Sequence, residues 1–193
     1  YVGSMLNVRG AEQVRAVQKI AVEESRLGIP LIIGFDVIHG YKTISPSPLA
    51  EAASWDLEAI QKSAEFAALE AAASGINWTF APMVDISRDA RWGRVMEGGG
   101  EDPYLGSEIA KARVKGFQGD NLSSPSTIAA CAKHFAGYGF AESGKDYNTV
   151  DVGTSTLNNI IFPPFRASIE ADVKTFMNAF IEVNGIPSTG HKH

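Results

Sequence analysis

Apolar and polar residues follow one another in blocks that predict strands alternating with helices. Short apolar runs bounded by glycine, proline or charged residues are typical of strands buried on both faces of a parallel sheet. Apolar residues spaced three or four apart predict amphipathic helices between them. The predicted strands are 1–7, 31–35, 76–82, 128–132 and 174–180. The predicted helices are 11–25, 57–73, 103–118 and 157–171.

Long polar loops follow the third and fourth predicted strands, at 85–102 and 133–151. Strands that alternate with helices in this way predict a parallel α/β fold. Folds of this class build their sites at the carboxyl ends of the strands. Four polar residues from three strands fall there, and we expect a shared site: Asp36, Asp85, Lys133 and His134.

Composition excludes several classes of partner. The chain has 193 residues, of which 45% are hydrophobic and 20% charged, with a net charge of −5. A chain of this kind forms one sizeable core, and its mild acidity argues against a nucleic acid partner. It has no apolar run long enough to cross a bilayer, so we expect no membrane partner. A single cysteine, Cys131, excludes an intrachain disulfide and a cysteine-based zinc site, and we expect no cofactor.

Asp36 and the arginine-rich loop are candidate ligand contacts. A carboxylate such as Asp36 accepts two hydroxyl hydrogen bonds, as a sugar diol offers, but it serves equally well as a cap for a turn or helix. Residues 85–94 place three arginines and two aspartates around Trp92. The arginine fork suits carboxylates and hydroxyl pairs, and its plane stacks on aromatic rings. We expect some of these arginines to hold the loop through ion pairs, with Glu97 among their partners, and one to face a ligand.

Lys133 and His134 pose a geometric problem because consecutive residues of a regular strand point to opposite faces. They share one pocket only if the backbone leaves β geometry, through a bulge or a non-proline cis peptide bond. One alternative is a lysine that reaches solvent beside a core histidine. Another is a Schiff-base lysine of the aldolase kind. These residue types alone are compatible with all three.

Five motifs together resemble glycoside hydrolase family 3, and among its members the bacterial β-glucosidases. In chain order they are Gly34-Phe35-Asp36-Val37-Ile38-His39-Gly40, Ala81-Pro82-Met83-Val84-Asp85, Arg88-Asp89-Ala90-Arg91-Trp92-Gly93-Arg94, Gly100-Glu101-Asp102-Pro103-Tyr104 and Lys133-His134-Phe135. The resemblance runs nearly end to end. It implies an incomplete (β/α)8 TIM-type barrel, with 1–193 as a partial N-terminal domain of about five strand–helix units. The first strand, the last strands and the second domain of the family would then be missing.

The resemblance also implies a site. It makes Asp36, Arg94, Lys133 and His134 hydroxyl ligands of a non-reducing glucosyl unit, and it places Phe180 at the substrate, where the family often has tyrosine. Residues 137–144 lack the histidine–aspartate pair of the N-acetylglucosaminidase members, which favours the β-glucosidase branch. The implied activity is retaining hydrolysis of terminal β-D-glucosyl residues, which requires two carboxyl groups about 5–5.5 Å apart. The resemblance places both carboxyl groups outside this chain, so no catalytic residue is assigned within it.

We therefore expect the chain to bind a β-glucoside or oligosaccharide weakly and to hydrolyse little. The alternative is a non-catalytic carbohydrate-binding or scaffold domain that needs a partner chain. Unpaired strand edges of an incomplete barrel predict self-association or pairing with the remainder of a parent chain. By resemblance to bacterial relatives, a periplasmic or secreted location is expected.

Overall fold

The computed structural model describes residues 2–192. Its main strands are parallel, pair edge to edge without closing into a barrel, and pack against helices. Its strands are β1 (Ser4–Leu6), β2 (Ile32–Phe35), β3 (Trp78–Thr79), β4 (Cys131–Phe135), β5 (Thr175–Asn178), β6 (Glu182–Val183) and β7 (Ile186–Pro187). Its α-helices are α1 (Ala11–Lys19), α2 (Pro48–Ala52), α3 (Leu57–Ala73), α4 (Pro103–Gln118), α5 (Thr154–Thr156) and α6 (Phe162–Glu170). Among the described residues, no helix combines the length and apolarity needed to cross a membrane.

The parallel strands lie side by side in the order in which they occur along the chain. β1 pairs with β2, β2 with β3 and β4 with β5, all in parallel. Parallel bridges from Trp78 to Ala129 and from Met83 to Lys133 join the third and fourth strands. Sequential parallel strands connected through helices are the construction of a (β/α) barrel. The structure thus confirms the predicted α/β fold, an incomplete TIM-type barrel of about five strand–helix units.

Helices α3 and α4 begin and end where local sequence signals predict. Asp56 accepts a hydrogen bond from the backbone of Ala59 at 3.0 Å, and Asp102 accepts one from Leu105 at 2.7 Å. Both are N-caps, and Pro103 occupies the first turn of α4. The main core lies between these helices and the strands. It contains Ile33, Ala67, Ala68, Ala71, Ile76, Val114, Phe117 and Ile128.

The strand that carries the candidate site differs from its prediction. The apolar pattern ends this strand at residue 132, but β4 covers Cys131–Phe135 and therefore includes Lys133 and His134. Pairing with β5 continues through Phe135 and Asn178, with a register shift after Lys133. Tertiary pairing, which the hydrophobic pattern does not show, fixes this boundary.

Three further differences concern local structure. Helix α2, which begins at Pro48, was not among the predicted helices. The helices predicted at 11–25 and 157–171 contain π-helical turns, Ile20–Glu24 and Leu157–Ile161. The β6–β7 hairpin was not predicted, although its turn is Asn184-Gly185, with φ of 53° and 79°. An Asn-Gly pair with two positive φ angles is a favoured hairpin turn.

Candidate functional site

Lys133 and Asp36 form an ion pair where β2 and β4 reach the site. Nζ of Lys133 donates to Oδ2 of Asp36 at 2.8 Å, and the lysine side chain is only 3% exposed. Oδ1 of Asp36 accepts from the backbone N–H of Ile38 at 3.1 Å, so the carboxylate also caps its own turn. The Asp36 side chain is nevertheless 42% exposed, so its carboxylate can accept further hydrogen bonds from solvent or a ligand.

His134 is paired with Asp85 in the interior. Its side chain is 2% exposed and that of Asp85 is 1% exposed. Oδ2 of Asp85 accepts from the backbone N–H of His134 at 2.9 Å and lies 2.9 Å from ring Nδ1. The Lys133–His134 peptide bond is cis, and the register shift lies at the same point. The predicted departure from regular β geometry is therefore confirmed.

Arg94 and Glu97 form a bidentate pair within one turn of 3-10 helix, Gly93–Glu97. Nε contacts one carboxylate oxygen at 2.7 Å and the terminal nitrogen contacts the other at 2.8 Å. This hydrogen bonding raises the pKa of Arg94. Burial acts to raise the pKa of Glu97, but the hydrogen bonds and charge of Arg94, together with the charge of Lys133, lower it overall. The ring of Tyr138 lies 5.1 Å from that of His134 and 5.5 Å from the guanidinium of Arg94, and Lys133 is next to His134 in β4, so the three pairs lie in one cluster.

We call this group the site cluster. It consists of Asp36, Asp85, Arg94, Glu97, Lys133 and His134. Each basic side chain contacts one carboxylate, so donors and acceptors alternate across the cluster. An ammonium held by a carboxylate is a hydrogen-bond donor, whereas a Schiff-base lysine must act as a free amine. The geometry thus favours hydroxyl binding over Schiff-base chemistry.

Tyr138 packs against two members of the site cluster and was not among the predicted site residues. Its ring is fully buried and packs edge-on against His134 and Trp92, with 5.1 Å between ring centroids in each case. The guanidinium of Arg94 lies 5.5 Å from the centre of the same ring. Burial and the nearby Asp146 raise the pKa of Tyr138. A buried aromatic that touches both His134 and Arg94 fixes their relative position.

Asp146 was also missed, because it lies in a polar loop with nothing local to distinguish it. Nε1 of Trp92 donates to Oδ1 of Asp146 at 2.8 Å across 54 residues. Burial acts to raise the pKa of Asp146, but hydrogen bonds, first of all the one from Trp92, lower it overall. This contact connects the loop after β4 to the arginine-rich loop.

The other two arginines of 88–94 are structural, as expected. Arg91 pairs with Asp89 at 2.6 Å, and Arg88 lies 4.9 Å from the ring centre of Phe140. Arg88 and Arg94 lie over the rings of Phe140 and Tyr138, respectively, and not over the indole of Trp92, which is buried. The indole therefore serves the core and the Asp146 hydrogen bond.

Phe180, which the resemblance placed at the substrate, is exposed. Its side chain is 66% exposed, and its ring centroid is 6.4 Å from that of Tyr147. Tyr147 is in turn 6.0 Å from Tyr138, so an aromatic series connects Phe180 to His134. Within residues 2–192 no group of three or more acidic, histidine or cysteine side chains is arranged to hold a metal ion.

Known proteins match the chain along nearly its whole length. The profile described as "Glycosyl hydrolase family 3 N terminal domain" covers residues 2–193. A periplasmic β-glucosidase of Salmonella typhimurium is 42% identical over 188 residues, which are 97% of this chain and 25% of that protein. A β-xylosidase of Formosa agariphila is 34% identical, over 91% of this chain and 26% of its own length.

Solved structures match equally well. A β-glucosidase from Listeria innocua in complex with glucose is 49% identical, with a TM-score of 0.93 over 97% of this chain and 26% of that one. A mutant of the same enzyme was solved with laminaribiose and gives a TM-score of 0.94. The chain thus spans about a quarter of the length of these relatives. With the family profile matched from residue 2 to residue 193, the chain belongs to glycosyl hydrolase family 3.

Proposed function

We propose that this chain forms the glucose-binding part of a retaining β-glucosidase, which hydrolyses terminal non-reducing β-D-glucosyl residues. The observation that carries the proposal is the site cluster itself. It places the Lys133 ammonium and the His134 imidazole beside carboxylates at the carboxyl ends of parallel strands, and the Arg94–Glu97 pair joins them from the loop after β3. Alternating donors and acceptors suit the adjacent hydroxyl groups of a sugar, each of which both donates and accepts. Asp36, Lys133, His134 and Arg94 would hold these hydroxyls, and Phe180 would border the bound sugar.

The same pairing argues that bond cleavage depends on groups supplied from outside these 193 residues. A retaining glycosidase needs one ionised carboxylate as nucleophile and one protonated carboxyl group as acid. Asp36, Asp85 and Glu97 are each committed to a basic partner, and the lowered pKa of Glu97 disfavours its protonated form. The nucleophile and the acid/base group would therefore come from the remainder of a longer enzyme, with residues 1–193 as part of its N-terminal barrel domain. A periplasmic or secreted location is supported by the Salmonella relative's name.

Binding and cleavage are tested separately with the 193-residue chain. Saturation-transfer NMR should detect binding of glucose and laminaribiose. Xylose is tested as well because β-xylosidases are also among the relatives, and we expect a weaker signal for it. Lys133→Met should abolish the glucose signal, whereas Lys174→Met removes an exposed lysine paired with Asp172 and should preserve it. Equal signals in both variants would refute the site. Turnover of an aryl β-glucoside by this chain, lost in Asp36→Ala, would overturn the assignment of catalysis to other residues.

A scaffold domain that binds carbohydrate with a partner chain is the second candidate. An apolar groove of about 540 Å³ lies between β1 and the end of α1, and includes Met5, Val17, Leu27 and Leu31. Exposed apolar side chains of β1 and β2, Leu6 and Ile32, lie nearby. Co-purification of a second polypeptide with the chain would favour this candidate, and self-association through the edge would show as a dimer in light scattering.

A further inference from the structure

We infer that Asp85 is a positioning residue that fixes His134 with its proton on Nδ1, so that Nε2 is presented to the sugar as a hydrogen-bond acceptor. The inference rests on the proposed glucose-binding function for its purpose. The contact that carries it does not, because the pairing of Asp85 with His134 involves only residues of this chain.

The hydrogen bonds to Oδ2 of Asp85 define the direction of the contact. The backbone N–H of His134 lies 2.9 Å from Oδ2, and a backbone N–H can only donate. Oδ2 is therefore an acceptor. Ring Nδ1 lies 2.9 Å from the same oxygen, so it must carry a proton to make a hydrogen bond there. A carboxylate that binds one imidazole nitrogen in this way determines the tautomer of the ring.

The other ring nitrogen is left for the ligand. In the neutral ring a proton on Nδ1 leaves a lone pair on Nε2. Nε2 has no hydrogen-bond partner among residues 2–192, and it is not one of the enclosed, unpaired polar atoms of that part of the chain. The ring itself cannot turn easily, because it is 2% exposed and packs edge-on against Tyr138. Nε2 is therefore held in one orientation and remains reachable.

The consequence is a division of roles between two adjacent residues. Nζ of Lys133 can only donate, and one of its protons is already committed to Asp36. Nε2 of His134 can then accept from a neighbouring hydroxyl. Lys133 would thus donate to one hydroxyl, and His134 would accept from another. Asp85 would determine the acceptor role of His134 without contacting the sugar itself.

The tautomer can be observed directly in the unliganded chain. Long-range ¹H–¹⁵N correlation of the imidazole rings separates the two tautomers, and the chain has only four histidines to assign. We expect the Nδ1–H form for His134 at a pH where the ring is neutral. The Nε2–H form there would overturn the inference, whatever the result with glucose.

Variants test the link to binding. Asp85→Ala should release the tautomer and weaken glucose binding about tenfold or more, the loss expected for one well-oriented hydrogen bond. Asp85→Asn retains an oxygen that accepts from both N–H groups, so it should restore the Nδ1–H form in part. Asp151→Asn changes an exposed carboxylate of the loop after β4 and should alter neither quantity.

The outcomes separate the two proposals. If the wild-type chain shows the Nδ1–H tautomer, loses it in Asp85→Ala, and binds no glucose, the proposed function fails while the positioning role of Asp85 stands. If Asp85→Ala keeps the Nδ1–H tautomer and full affinity in a chain that binds glucose, the positioning role fails alone. Circular dichroism on each variant identifies any that is unfolded, and in that case the wild-type tautomer decides.

Discussion

Replacing Asp36 by asparagine tests how strongly the site cluster depends on charge pairing. Lys133 is enclosed and its ammonium has a contact of 2.8 Å to Asp36. The variant retains the size of the side chain and an oxygen that can accept from the Ile38 backbone, but it removes the negative charge. An enclosed ammonium then remains without its principal counter-charge, although Glu97 is close enough to compensate in part.

The magnitude follows from burial. Breaking a fully buried ion pair costs about 3–5 kcal/mol. The Asp36 side chain is substantially exposed and water reaches it, so we expect about 2–3 kcal/mol in the free energy of unfolding. A domain of this size loses about 2–4 °C in Tm per kcal/mol, so the variant should melt roughly 4–12 °C below the wild type. Thermal denaturation followed by circular dichroism measures this directly.

A double-mutant cycle isolates the charge pair. In Lys133→Met the ammonium is absent, and Asp36→Asn should then change the free energy of unfolding by less than about 1 kcal/mol. The coupling energy of the cycle would be about 2 kcal/mol. An Asp36→Asn effect below about 0.5 kcal/mol in the wild-type background, or an equal effect in both backgrounds, would refute the argument that the pair stabilises the site.

Three further predictions concern the rest of the molecule. Glu51→Gln leaves Arg113 buried without the carboxylate it contacts and should cost about 3–5 kcal/mol in urea unfolding, whereas a surface variant such as Lys174→Met should be nearly neutral. Gly116→Ala would place a Cβ 2.5 Å from the Gln61 carbonyl oxygen and should destabilise the α3–α4 contact by about 1–3 kcal/mol, while Gly93→Ala meets no atom within 4 Å and should stay within about 0.5 kcal/mol. The lowered pKa of Glu97 stabilises the fold above about pH 4.3, the usual pKa of glutamate, and this contribution is lost as pH falls through the lowered value. Melting of Glu97→Gln between pH 6 and pH 3 should therefore fall less steeply than that of the wild type, and parallel curves would contradict the assignment.

The helices were predictable because their determinants are local. Bounds of 57–73 and 103–118 agree with α3 and α4 residue for residue, since an N-cap aspartate precedes each helix and a glycine follows each within two residues. The strands were less predictable. β3 has only two residues, and the end of β4 depends on its pairing with β5 across more than 40 residues of chain. Boundaries set by a distant partner leave no mark in the apolar pattern of one segment.

The sequence predicted several members of the site cluster, but not how most of them pair. Placing polar residues at strand ends identified Asp36, Asp85, Lys133 and His134, and the requirement for a break in β geometry identified the cis peptide bond or bulge between the last two. Glu97 was expected to pair with an arginine, but the pairing of the other four residues was not apparent. Asp36 and Lys133 lie 97 residues apart, and Asp85 and His134 lie 49 apart. No spacing rule connects residues that only the packing of parallel strands brings together.

That pairing is the physical reason why we propose sugar binding, and no proton transfer, for the carboxylates of the site cluster. A carboxyl group becomes an acid when burial raises its pKa without a compensating cation, as in the acid of a glycosidase. Here each carboxylate of the site cluster contacts a base: Lys133 for Asp36, His134 for Asp85 and Arg94 for Glu97. The contact with Arg94 lowers the pKa of Glu97, and all three contacts orient both of their partners. Side chains that are already held by ion pairs lose little conformational entropy when a neutral sugar binds. The sugar hydroxyls would then meet donors and acceptors that are already oriented.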